Sequence, residues 1–208
     1  VVLLAPGFAA PRAWRGSLSL ERRLTQLLRF NVEASVARGV ALTGFRDLNI
    51  AAAPRFTIAA EGNRPVYVAP SDITPLNGTP RFAASRLDSV FGHVLEARSD
   101  LHSRSLGFTT GLSGIVGKGI VVSASYSWQR VRDEETGARG NSTATDPNTV
   151  EWGRSDMERK HSFLLTVTYP ASQALELTSI GRLTSGMPFT PMVGGDVNGD
   201  GSRNDRAY

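Results

Sequence analysis

Between Arg159 and Ser185 the chain reads RKHSFLLTVTYPASQALELTSIGRLTS, and no other stretch says as much about the solvent it must meet. One parity holds Phe163, Leu165, Val167 and Tyr169. The other holds Ser162, Leu164, Thr166 and Thr168, with Leu164 the lone apolar residue. A period of two describes a β-strand with one apolar and one polar face. Pro170, Ala171 and Ser172 interrupt the run, and Leu175–Thr184 resumes it with Leu175, Leu177 and Leu183 on one parity. Two strands joined by a few residues make an antiparallel hairpin. Each has roughly the 9–11 residues that carry a tilted strand across a bilayer. Such a hairpin also suits a water-soluble sheet with one wet face, so the reading turns on whether the chain repeats it.

It does. Ser17–Arg23 alternates around Leu18 and Leu20, and then Leu28, Phe30, Val32, Ala34 and Val36 stand opposite Arg29, Asn31, Glu33 and Ser35. Leu20, Leu24, Leu27 and Leu28 also fit a helical stripe, but the alternation runs on past it. Leu106, Phe108, Thr110 and Leu112 face Ser105, Gly107, Thr109, Gly111 and Ser113. After the glycine-rich GIVGKG turn, Ile120, Val122, Ala124, Tyr126 and Trp128 face Ser123, Ser125, Ser127 and Gln129. The pattern predicts six strands in three hairpins, near residues 17–37, 104–130 and 157–184, with short turns near 24–26, 114–119 and 170–174. Long polar loops near 39–91, 132–155 and 186–208 alternate with those turns.

Short turns on one side and long loops on the other mark a transmembrane barrel, with the turns periplasmic and the loops extracellular. Soluble sandwiches have no such bias. The fold class predicted is therefore all-β: an antiparallel transmembrane β-barrel segment occupying residues 1–208. Six strands fall short of the roughly eight that close a membrane barrel, so the barrel is incomplete. The lipid-facing set is Leu28, Phe30, Val32, Val122, Tyr126, Trp128, Phe163, Leu165, Val167 and Tyr169, with the aromatics suited to interfacial girdles. The polar parity lines a wet lumen or touches a plug within it.

Composition removes several rivals. No apolar run approaches the ~18 residues of a membrane helix, and mean hydropathy is -0.16. There are no cysteines, hence no disulfide or thiol chemistry. The 23 basic and 19 acidic residues are interspersed, which leaves no nucleic-acid stripe. Lys118 in GKG fails the phosphate-loop pattern, GLSGI at 111–115 lacks the last glycine of a nucleophile elbow, and His93, His102 and His161 have no metal-ligand spacing. No enzyme is expected. One constellation invites a cation: Asp196, Asn198 and Asp200, then Gly201, Ser202 and Asp205, place oxygen ligands as a Ca²⁺ loop does, although Ala207 stands where a bidentate carboxylate is needed. Calcium is the only cofactor the sequence suggests. The chain begins VVLLAPGF, without Met or a basic leader, and ends in a Gly/Asn/Asp loop; both ends read as cuts within a longer protein.

WGRSDMERKHSF (Trp152–Phe163) and GRLTSGMPFTPMVGGDVNGDGSRNDRAY (Gly181–Tyr208) carry a family resemblance. They resemble the barrel of TonB-dependent outer-membrane receptors, most closely the Oar-like group with its carboxypeptidase-regulatory-like domain. The resemblance implies a bacterial outer-membrane receptor that takes up a ligand when an inner-membrane motor complex pulls on a plug in a barrel of about 22 strands. It implies outer-membrane lipid as one partner and an unknown ligand as another, with plug and motor reached through parts of the protein outside this chain. Two other readings stand beside it: an outer-membrane adhesion or matrix-binding barrel without transport, and a secreted soluble β-sandwich with a Ca²⁺ loop.

Overall fold

A computed structural model describes residues 1–207; Tyr208 lies outside the described residues. The strands in chain order are β1 (Val2–Leu4), β2 (Arg12–Arg23), β3 (Leu28–Asp47), β4 (Phe56–Ile58), β5 (Arg64–Val66), β6 (Leu95–Val116), β7 (Ile120–Glu135), β8 (Glu151–Arg154), β9 (His161–Ser172) and β10 (Leu175–Thr184). Six long strands form one antiparallel sheet in the order β10-β9-β7-β6-β3-β2. The small strands β1 and β8 flank β6 and β7, while β4 and β5 pair with each other.

All three hairpins form; the boundaries of the first two move outward, and the third starts at His161 instead of 157. β3 continues to Asp47 and β6 starts at Leu95, so the first loop spans 48–94, not 39–91. Two irregularities hid this extension. The β3–β6 register shifts between Gly39 and Gly44, and Ala41 takes a left-handed φ of 55°, a bulge that scrambles alternation. Beyond it the strands are charged, with Arg46 meeting Glu96 at 2.9 Å and Arg98 meeting Asp100. β7 likewise runs to Glu135, where β8 pairs with it. The short connections cover 24–27, 117–119 and 173–174. Pro170 lies inside β9 instead of breaking it. The β7–β9 register ends at Thr168, so only β10 flanks Pro170, and the missing N–H costs no bond to β7.

Register fixes the faces. Residues directly opposite one another point the same way, and between the short turns and the bulge the ladders run unshifted from β2 to β9. Leu20, Val32, Thr110, Tyr126, Phe163 and Leu183 form one row across all six strands. Leu18, Ala34, Phe108, Trp128 and His161 form the next. No second layer covers this face among the described residues: Leu18 is 79 % exposed and Leu183 is 72 % exposed. A sandwich requires an apolar face packed on a second sheet, and the described residues supply none. The opposite face is small and polar. Thr109 bonds Ser127 at 3.1 Å, Thr168 bonds Thr178 at 3.0 Å, and Gly111 leaves the space that Asn31 occupies. The buried apolar residues lie toward the loops, around Ile50, Val66, Tyr67 and Val68 and at the loop end of β6, at Ala97 and Leu101.

Candidate functional site: the loop cap at the mouth of the sheet

The three long loops do not trail from the wall; ion pairs, some of them buried, and side-chain hydrogen bonds tie them into one body. Asp47, at the end of β3, takes Arg86 at 2.5 Å and His93 at 2.7 Å on one oxygen, and the Asn49 and Val94 N–H groups on the other. Burial alone would raise this carboxyl, but His93, the Asn49 amide and Arg86 outweigh it and hold it below the usual carboxylate range. The Arg86 guanidinium lies 4.2 Å over the Phe82 ring and donates to the Asp200 carbonyl, joining the first loop to the third. Arg64 of β5 donates to Asp205 at 2.6 Å, with both side chains fully buried, and also reaches Glu61 and the Arg206 carbonyl. The second loop is joined by Asn204, which donates to the Gly137 carbonyl, and by Arg206, 2.7 Å from Glu151.

Glu158 explains why DMERK precedes β9. Its buried carboxylate accepts the Val131 N–H at 2.8 Å and the Arg154 guanidinium, which locks the second loop onto β7. Three residues on, His161 accepts or donates at 2.8 Å with the Tyr126 hydroxyl on the apolar face.

The loop singled out for calcium is folded as interlocked turns. The Asp196 carboxylate accepts the Gly199 and Gly201 N–H groups at 2.6 and 2.9 Å, Asn198 accepts the Asp200 N–H, and Asp200 accepts the Ser202 N–H. Gly199 and Gly201 both have positive φ, and a Cβ on Gly201 would run into the Phe82 ring. Asp205 is turned inward onto Arg64 and the Val197 N–H. Among the described residues, no group of three or more His, Cys, Asp or Glu side chains is arranged to hold a metal ion. Burial, with repulsion from Asp196 and Asp205, nevertheless pushes Asp200 up to about 6, and burial raises Asp196 as well.

A folded-state value above the unfolded 3.8 means that ionising Asp200 opposes folding of the cap. The cap is thus most stable with respect to this group below pH 3.8, loses that contribution as pH rises toward 6, and bears a cost on the order of 2–3 kcal/mol above it. Carbon-13 titration of the Asp200 carboxyl is expected to show a midpoint near 6; a midpoint at the ordinary aspartate value would contradict the burial. A Ca²⁺ ion held by this carboxylate would draw the midpoint down, so the same titration with added calcium reads the cation site directly.

A cavity of about 850 Å³ opens between the end of β7, β8 and the third loop. Asp133, Glu135 and Glu151 line it on the polar parity of the sheet, Asp156 joins them, and Met187, Phe189 and Met192 form an apolar wall. Burial and the nearby Asp133 and Asp156 raise the Glu135 carboxyl, against the pull of Arg206.

The family described as outer membrane beta barrel domain matches residues 1–208, the whole chain. The chain belongs to that family. Comparison with curated proteins and with solved structures found no match. The barrel wall accordingly resides in the bacterial outer membrane, as the alternating hairpins predicted. The residues nominated as lipid-facing, from Leu28, Phe30 and Val32 through Val122, Tyr126 and Trp128 to Phe163, Leu165, Val167 and Tyr169, share one face. Asp196, Asn198, Asp200, Ser202 and Asp205 share one loop of the barrel's cap. Sequence reasoning missed Asp47, Arg64, Arg86 and Glu158. Each is a charged residue at the end of a strand or in the chain between strands, and no periodicity around it distinguishes it from a solvated one.

Proposed function

We propose that this chain is wall and external cap of a TonB-dependent outer-membrane transporter, with its apolar face in hydrocarbon and its cap presenting a capture surface. The observation that carries the reading is the ordered cap. Three loops converge over one end of the strands, joined by the buried Arg64–Asp205 pair, by Asn204 and by the Arg206–Glu151 pair, and leave a cavity on the polar side. An adhesion barrel has no need of a shaped opening toward its lumen, whereas a receptor that delivers ligand inward does. The four acids lining that cavity outnumber its two arginines, Arg154 and Arg206, and with the exposed Met and Phe side chains they suit a ligand with a basic group on an apolar body over an anionic one.

The resemblance supplies the energised step, and a motor-binding assay tests it. The intact protein, purified in detergent, is expected to bind the isolated periplasmic domain of the inner-membrane motor protein and to lose that binding when its N-terminal region is removed. A barrel that folds normally and never engages the motor domain would be an adhesion protein instead.

A further inference from the structure

On the apolar face, just beyond the aromatic row of Phe108 and Trp128, the register brings four arginines into line. Arg38 pairs with Arg104, Arg104 with Arg132, and Arg132 with Arg154. Like charges directly opposite across strands destabilise a sheet, so this row opposes folding unless an anion meets it. Glu158 satisfies Arg154. Arg38, Arg104 and Arg132, with Arg130 one row below, have no carboxylate within ion-pair distance among the described residues. The Arg132 Nε is buried without a hydrogen-bond partner. Two grooves that share Trp152 lie along the row: one of about 240 Å³ over Leu106, among Arg104, Arg130 and Arg132, and one of about 590 Å³ over Val36, between Arg38 and Arg104, which is lined also by Glu134, itself paired with His102. Arg130 and Arg132 stand ten and twelve residues from Ile120 at the short turn. At about 2.5 Å of height per tilted residue this is roughly 25–30 Å, the top of the ~25 Å apolar band.

We propose that this row is a binding site for the anionic phosphate headgroup of an outer-leaflet membrane lipid, with Arg38, Arg104, Arg130 and Arg132 holding the phosphate and the groove over Leu106 taking the adjoining acyl chain. Guanidinium forks bind phosphate oxygens through paired, charge-assisted hydrogen bonds. A phosphate at headgroup height would both neutralise the row and satisfy Arg132, while the lipid's tails continue along the apolar rows below. The proposal rests on the reading that this face meets lipid.

The test uses the intact protein in detergent, titrated with phosphatidylglycerol and with phosphatidylcholine, bound lipid being counted by native mass spectrometry. Wild type is expected to prefer phosphatidylglycerol. The Arg104→Gln/Arg132→Gln double variant is expected to bind it roughly thirtyfold more weakly, from about a fivefold contribution per arginine. Arg15→Gln, on the opposite face, is expected to bind as wild type does. Millimolar inorganic phosphate is expected not to displace the lipid; full displacement would mean a free-phosphate site and overturn the proposal. Should the double variant fail to fold, single Arg104→Gln and Arg104→Lys variants serve, with Lys expected to keep most of the preference. Brominated lipid separates the two readings, through the difference in quenching between wild type and Trp128→Phe. Unchanged phosphatidylglycerol binding with Trp128 quenched would sink the phosphate site alone. An unquenched Trp128 would sink the lipid-facing assignment as well.

Discussion

Leu165→Arg is expected to lower the unfolding free energy of the intact protein in phospholipid vesicles by about 2–4 kcal/mol. Leu165 sits in mid-strand and its direct cross-strand partners are Ala124 and Gly181, too small to shelter it. Its side chain therefore depends on whatever lies in front of the sheet. If that is hydrocarbon, a guanidinium there is desolvated without a counter-ion. Val122→Arg, only two residues beyond Ile120 at the short turn, is expected to cost less, since the penalty falls to roughly 0–1 kcal/mol toward the interfaces. Thr166→Arg, on the polar parity next door, is the control and is expected to be near neutral. Denaturant titrations of the refolded variants read all three. Equal stability of Leu165→Arg and wild type would mean that the apolar rows never meet lipid.

Asp205→Ala is expected to destabilise the loop cap by about 3 kcal/mol, the cost of taking one carboxylate from a buried, multiply bonded guanidinium. Arg64 and Asp205 are both fully buried and 2.6 Å apart, and Asp205 also accepts the Val197 N–H, so the change strips support from two loops together. Glu61 is half-exposed and remains beside Arg64, which limits the effect. The loss is local. Hydrogen exchange is expected to quicken in 61–68 and 196–206 while the amides of β6 and β7 stay protected, because the wall's ladders do not pass through the cap. Protection unchanged in both loops would show that the pair contributes nothing to holding the cap closed. Arg64→Met/Asp205→Leu removes both charges and is expected to recover much of the loss.

The wall was legible in the chain because a strand that meets two different media needs a residue of each kind in turn. Leu28–Val36, Leu106–Leu112, Ile120–Trp128 and Phe163–Tyr169 carry that alternation without help from any partner. It fixed strand, face and hairpin order, and the asymmetry of short turns and long loops fixed the outer membrane. The alternation stops carrying information where the strands leave the apolar band. Above it both faces are wet, so Arg46 falls in the expected loop and Glu96, Arg98 and Asp100 in no expected strand, although they continue β3 and β6, and the bulge at 39–44 breaks the period besides.

Only the tertiary structure decided that the loops form a cap and that four arginines stand in a row. Arg64 and Asp205 are 141 residues apart, and their pairing follows from which segments the sheet brings to one rim, a quantity no local window contains. The arginine row depends on three successive registers, each set by main-chain hydrogen bonds and turn length; a shift of one residue in any of them would send neighbouring arginines to opposite faces. Side-chain periodicity chooses the face of a single strand, but the backbone ladder chooses which side chains become neighbours.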